Sequence, residues 1–114
     1  MTVIRNEKKE FSAPLDRAIN TVRKVLSEKQ SSYIYTKTIE GTDGTSFSTV
    51  IKPNLYPLLL STQLFIEITK IADNISAVEV KTKSQWFIIG DIFNYYNKYI
   101  HEFFKKIEDE IKNS

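Results

Sequence analysis

The sequence predicts an α+β fold in the order β-α-β4-α, an antiparallel sheet of five strands with two helices packed on one of its faces. Three observations predict it. Apolar residues recur at helical spacing towards both ends of the chain, the stretch between alternates apolar with polar residues, and turn-forming residues divide that stretch into pairs. A length of 114 residues suits a single domain, 1–114, with one core.

Residues 2–11 carry Val3, Ile4 and Phe11 among charges that include Lys8 and Lys9. They read as an edge strand, because lysines blunt an exposed sheet edge. Ser12-Ala13-Pro14 then breaks the strand. Ser12 is expected to cap the first helix, and proline is tolerated in a first turn whose backbone donors are unpaired anyway. Leu15, Ala18, Ile19, Val22 and Leu26 keep helical spacing, which predicts a helix over 13–28 packed by one side.

Strands over 33–39 and 46–52 are joined by Glu40-Gly41-Thr42-Asp43-Gly44, whose glycines and aspartate suit the positive φ angles of a hairpin. A second pair, 64–71 with a start as early as Thr62, and 75–83, turns at Ala72-Asp73-Asn74. Leu64, Ile66 and Ile68 share a face there, as do Val78 and Val80, while Glu67, Glu79 and Lys81 point the other way. Lys52-Pro53-Asn54-Leu55-Tyr56-Pro57 separates the pairs. Its prolines cannot donate to a ladder, so a bend is expected before Leu58 to Leu60.

The last helix is predicted over 91–112, capped by Asp91 after Gly90. Phe93, Tyr96, Ile100, Phe103, Ile107 and Ile111 form its apolar stripe, widened by Ile92, Tyr99 and Phe104. Lys98 with Glu102, Lys105 with Asp109 and Glu108 with Lys112 are opposite charges spaced to pair on its wet side.

Composition narrows the function. Sixteen basic residues face fourteen acidic ones, for a net charge of +2, and both signs are scattered; this balance argues against a nucleic-acid binder. Hydrophobic residues at 41% and charged residues at 26% are ordinary for a globular chain. The absence of cysteine removes disulfides, thiolate nucleophiles and Cys-ligated metals together. The amino terminus lacks the apolar run of a signal peptide and no stretch has transmembrane length. A soluble cytoplasmic protein with no membrane association is expected.

The phrase Phe11-Ser12-Ala13-Pro14-Leu15-Asp16-Arg17-Ala18 resembles the entry to the first helix of helix-grip (START-like) ligand-binding domains. The element order resembles the TATA-binding-protein-like folds that include them. Val78-Glu79-Val80-Lys81-Thr82, running on to Gly90-Asp91-Ile92-Phe93-Asn94, Ile100 and Phe103, is also similar to the ends of small uncharacterised bacterial domains. The resemblance implies a ligand held between the last helix and the sheet and supplies no catalytic residues. The chain is shorter than most helix-grip domains, which have extra strands and a further helix around the cavity.

No metal site, cofactor or catalytic constellation is predicted. His101 is the one histidine and falls off the apolar stripe, as a surface residue would. Glu108-Asp109-Glu110 points to different sides of a helix and suits a solvated turn better than a metal cage. Glu67 and Glu79 lie on paired strands, where register decides whether they meet. Gly41-Thr42-Asp43-Gly44 lacks the lysine and following helix of a phosphate loop. Of the aromatic set Tyr33, Tyr35, Trp86, Tyr95, Tyr96 and Tyr99, the margin formed by Trp86, Tyr95 and Tyr99 is the predicted binding site, because such rings combine apolar bodies with polar tips. The chain therefore reads as a non-catalytic binding or interaction module, using this margin or the free sheet face to hold a protein partner or a second copy. The alternative is a helix-grip domain that binds a small apolar ligand between the carboxy-terminal helix and the sheet.

Overall fold

Edge strand β1 (Thr2–Phe11) leads into helix α1 (Leu15–Ser27), followed by β2 (Tyr33–Glu40), β3 (Ser46–Pro53), β4 (Thr62–Ala72), β5 (Ile75–Gln85) and helix α2 (Tyr95–Lys112). The computed structural model describes residues 2–28, 33–53, 62–85 and 95–112. The expected bend over 54–57, the segment Leu58 to Leu60 and the Asp91 cap lie outside them.

One antiparallel sheet forms, in the order β1-β5-β4-β3-β2. Both predicted hairpins are present, and β1 lies at one edge. β1 and β2 therefore occupy opposite edges, and the chain between them must cross the sheet. Four strand spacings make a width of about 19 Å. The 13 residues of α1 rise about 20 Å, so the helix has the length that the crossing requires.

Phe11, Phe47, Ile51, Leu64, Ile66, Ile68, Val78 and Val80 of the sheet pack in one cluster with Ala18, Val22, Val25 and Leu26 of α1 and with Tyr99, Ile100, Phe103, Phe104 and Ile107 of α2. Both helices cover the same face. α1 lies across one end of it, where Arg23 pairs with Glu40 at 2.5 Å. α2 runs lengthwise, its carboxy-terminal turns held by Lys9 to Glu108 at 3.2 Å and Lys24 to Glu110 at 2.7 Å. The acidic run expected to be a solvated turn thus reaches both β1 and α1. Arg17 also donates to the carbonyl of Ile111.

Two local expectations are corrected. Ser12 does not cap α1: Pro14 is the cap residue in an extended conformation, without a side-chain hydrogen bond. The corner is held instead by the Ser76 hydroxyl, which donates to the Ala13 carbonyl at 2.8 Å. In the β2–β3 turn, only Gly44 has positive φ, at 75°. Gly41 answers to space, since a Cβ there would stand 2.0 Å from Ser46 Oγ. Asp43 acts through its carboxylate, which accepts from Thr45 N at 3.0 Å and Ser46 Oγ at 3.1 Å. These bonds hold its pKa below the ordinary aspartate value. Lys37, with φ of 53°, takes the left-handed conformation where the β2–β3 register shifts between Thr36 and Ile39, a bulge on the edge strand.

Candidate functional site

The sheet face beneath α2 changes character along its length. Near α1 it is apolar at Phe47, Ile66, Ile68 and Val78, with Ser76 the polar residue bonded at the corner. Towards the other end, Thr62 continues the inward alternation of Leu64, Ile66 and Ile68, and Thr82 continues that of Val78 and Val80. Leu64 is opposite Thr82, and Ile51 is opposite both Thr62 and Tyr35. Thr62, Thr82 and Tyr35 therefore occupy neighbouring rows on one face.

Their hydroxyls are buried without partners. Thr62 is 1% exposed and Thr82 0%, yet Thr62 Oγ1, Thr82 Oγ1 and Tyr35 Oη accept and donate no hydrogen bond among the described residues. Nearby Thr49 shows the contrast, because it lies 2.9 Å from Thr38 Oγ1 and donates to the Thr36 carbonyl at 3.0 Å. Leaving a buried polar group unpaired costs about 1–3 kcal/mol. A cluster of such groups is thus the strongest chemical signal on this face.

Aromatic rings wall the same region. Tyr33 stands edge-on to Tyr35 at 5.7 Å and to Tyr99 of α2 at 5.0 Å. Its hydroxyl donates to Glu102 Oε2 at 2.7 Å, tying the start of β2 to the middle of α2. Burial is the main cause raising both phenol pKa values. Tyr35 is pushed up to about 12, and Tyr33 goes higher still, helped by the adjacent Tyr35 and Glu102. The two phenols are near enough to affect one another's ionisation, Tyr33 acting to lower that of Tyr35 against the larger effect of burial. Near neutral pH both phenols are uncharged.

The residues predicted from sequence fall in different places. Tyr99 is buried, 4% exposed, and packed on Tyr33, within the widened apolar stripe of α2. Tyr95 begins α2, and Trp86 lies outside the described residues. His101 is exposed and points to the β1 side, with Nε2 3.7 Å from Glu7. Glu67 and Glu79 do meet, as direct register partners on the opposite sheet face. Sequence reading missed Thr62, Thr82 and Glu102. For the threonines a signal existed: each is a polar residue that extends an apolar alternation by one step.

A five-stranded antiparallel sheet gripping a lengthwise carboxy-terminal helix, with its first helix crossing one end, has parallels of known structure. The crystal structure of Ara h 8.0201 superposes with a TM-score of 0.69 at 11% identity, covering 100% of both chains. A START superfamily protein from Mycobacterium smegmatis matches with a TM-score of 0.55 at 10% identity, over 96% of this chain and 97% of that one. The fold is helix-grip, START-like. The solution structure of the Aha1 dimer from Colwellia psychrerythraea is similar too, with a TM-score of 0.62 at 13% identity and 94% coverage of each chain. At these identities the helix-grip likeness is one of fold. No protein-family model and no curated protein matches the sequence.

Proposed function

We propose that this helix-grip domain is a non-catalytic binding module whose small ligand lies between α2 and the sheet, apolar over most of its surface and hydrogen-bonding at one end. One observation carries the reading: among the described residues, the buried hydroxyls of Thr62 and Thr82 lack partners on the sheet face that carries the core, beside the buried phenol of Tyr35. An occupant that accepts from or donates to them recovers the desolvation that they otherwise lose. Apolar and aromatic neighbours, Ile51, Leu64, Tyr33 and Tyr99, suit the rest of such a molecule.

The chemistry of the site supports binding over catalysis. Neutral hydroxyls orient a ligand, but a phenol whose pKa is pushed up to about 12 is a poor base near neutrality. His101 stands on the β1 side of α2, beside Glu7.

Valine replaces threonine with little change of shape, so the double variant T62V/T82V tests the reading directly. Gentle native mass spectrometry of the purified protein is expected to show a retained small mass that the variant loses. The empty variant is expected to melt higher than the empty parent, because two unpaired hydroxyls are gone. A bare mass for both proteins would reject the proposal if Thr62 and Thr82 methyl resonances also stayed unmoved on titration with long-chain alcohols and small phenols.

A further inference from the structure

The face of the sheet turned away from both helices carries a separate groove of about 570 Å³. Ile39 and Phe65 line it and are 65% and 37% exposed, both large apolar side chains left open to water. Ser46 and Ser48 lie between them on β3, since Ser48 is opposite both Ile39 and Phe65 while Ser46 is opposite Glu67. Next to Phe65 the floor turns acidic, for Glu67 of β4 and Glu79 of β5 are direct register partners and both line the groove.

Like charges directly opposite on a sheet destabilise it, and two lysines flank this pair, Lys81 lining the same groove. Lys8 is the register partner of Glu79, and Lys81 that of Phe65. Neither lysine forms an ion pair with either carboxylate among the described residues. Both carboxylates are thus without an ion-pair partner among the described residues, beside exposed apolar surface in a single concavity.

We infer that this groove docks a basic side chain of a partner protein, its aliphatic stem on Phe65 and Ile39 and its cationic head between Glu67 and Glu79. Charge complementarity selects the occupant. A cation between the carboxylates relieves their repulsion, and the long apolar stem of arginine or lysine covers the exposed rings and branches. Ser48, on the same floor, is placed to bond the backbone or a polar neighbour of that side chain. The surface is independent of the helix-covered site, from which the thickness of the sheet separates it.

The test uses the whole chain and an acetylated, amidated hexapeptide alternating arginine with leucine, against the same peptide with glutamate for arginine. Calorimetric titration is expected to show binding of the arginine peptide only, weakened at least tenfold in the double variant E67Q/E79Q and weakened by added salt. The same variant is expected to melt about 1–6 °C higher than the parent, because the repulsion is relieved; this readout also shows that it folds. T62V/T82V should bind the peptide as the parent does, which separates this groove from the ligand site under α2. Equal binding by the parent and E67Q/E79Q, equal binding of the glutamate peptide, or no binding at all would overturn the inference. So would a dimer in sedimentation that E67Q/E79Q abolishes, since the occupant would then be a second copy of this chain.

Discussion

Tyr33 shows how one side chain joins two elements. Its ring packs on Tyr99 and its hydroxyl reaches Glu102, so β2 and α2 are coupled by packing and by a charge-assisted bond. Replacing it with phenylalanine keeps the packing and removes the bond, for an expected loss of about 1.5–3 kcal/mol in a denaturant melt. Tyr35 offers a spectroscopic readout. Its pKa is raised to about 12 from an unfolded value near 10, so the unfolded chain releases this proton first. Stability from this group is complete below about pH 10 and is lost as pH rises towards about 12. Tyrosinate absorbance is expected to lag for this residue, and a normal phenol titration would contradict the burial. On α2, Phe103 is fully buried and its neighbour His101 exposed. Phe103→Ala is expected to cost about 3–5 kcal/mol and His101→Ala less than about 0.5 kcal/mol. The reverse order in urea would place the helix on the wrong face.

At the scale of elements, the bulge in β2 and the end of α2 each have a testable cause. Lys37 holds positive φ, a conformation that costs a non-glycine residue about 1–2 kcal/mol. Glycine there removes the strain and adds freedom to the unfolded chain, so Lys37→Gly is expected to be neutral to about 1 kcal/mol stabilising. Thermal melts decide it, and a marked loss would mean that the lysine side chain supports the edge. The carboxy-terminal turns of α2 are held by charge. Lys112, at 2.9 Å, and Lys9 hold the Glu108 pKa below the ordinary glutamate value. Their contribution is present above the usual carboxylate range and disappears as pH falls through the lowered value. Amide exchange at the end of α2 is expected to quicken in acid and in high salt, while the apolar stripe at Phe103 and Ile107 stays protected.

For the molecule as a whole, the order β1-β5-β4-β3-β2 makes one sheet with a helix-covered face and an outer face. α1 and α2 both pack on the gripped face, and the Thr62 and Thr82 hydroxyls, without partners among the described residues, lie towards the end away from α1. Among the described residues the outer face carries no helix, and the groove lined by Glu67 and Glu79 lies there. Among the described residues no helix is long and apolar enough to cross a membrane. Central strands β4 and β5 have neighbours on both sides and are expected to exchange amide protons most slowly, with edge strands β1 and β2 faster. Uniform protection would mean that the edges are covered in solution.

Local spacing by itself determined the elements. Alternation through Leu64, Ile66 and Ile68, helical recurrence through Val22 and Leu26 or Phe103 and Ile107, and turn residues around Asp43 and Gly44 are short-range signals. Each reports which side of its own segment is buried, so the β-α-β4-α order and the two hairpins were legible. Tertiary structure alone decided what met across elements. That Glu67 stands opposite Glu79 depends on register, and a slip of one residue would turn one of them to the core. That Thr62 and Thr82 are buried without partners among the described residues depends on how the elements pack, and that Tyr99 packs on Tyr33 depends on the far edge strand reaching α2. Ser12 reads locally as a cap, yet the corner is held by Ser76, a residue of β5 far along the chain. The division has one physical cause: hydrophobic periodicity is written along the chain, whereas hydrogen-bond satisfaction and charge pairing are properties of neighbours that only the closed fold brings together.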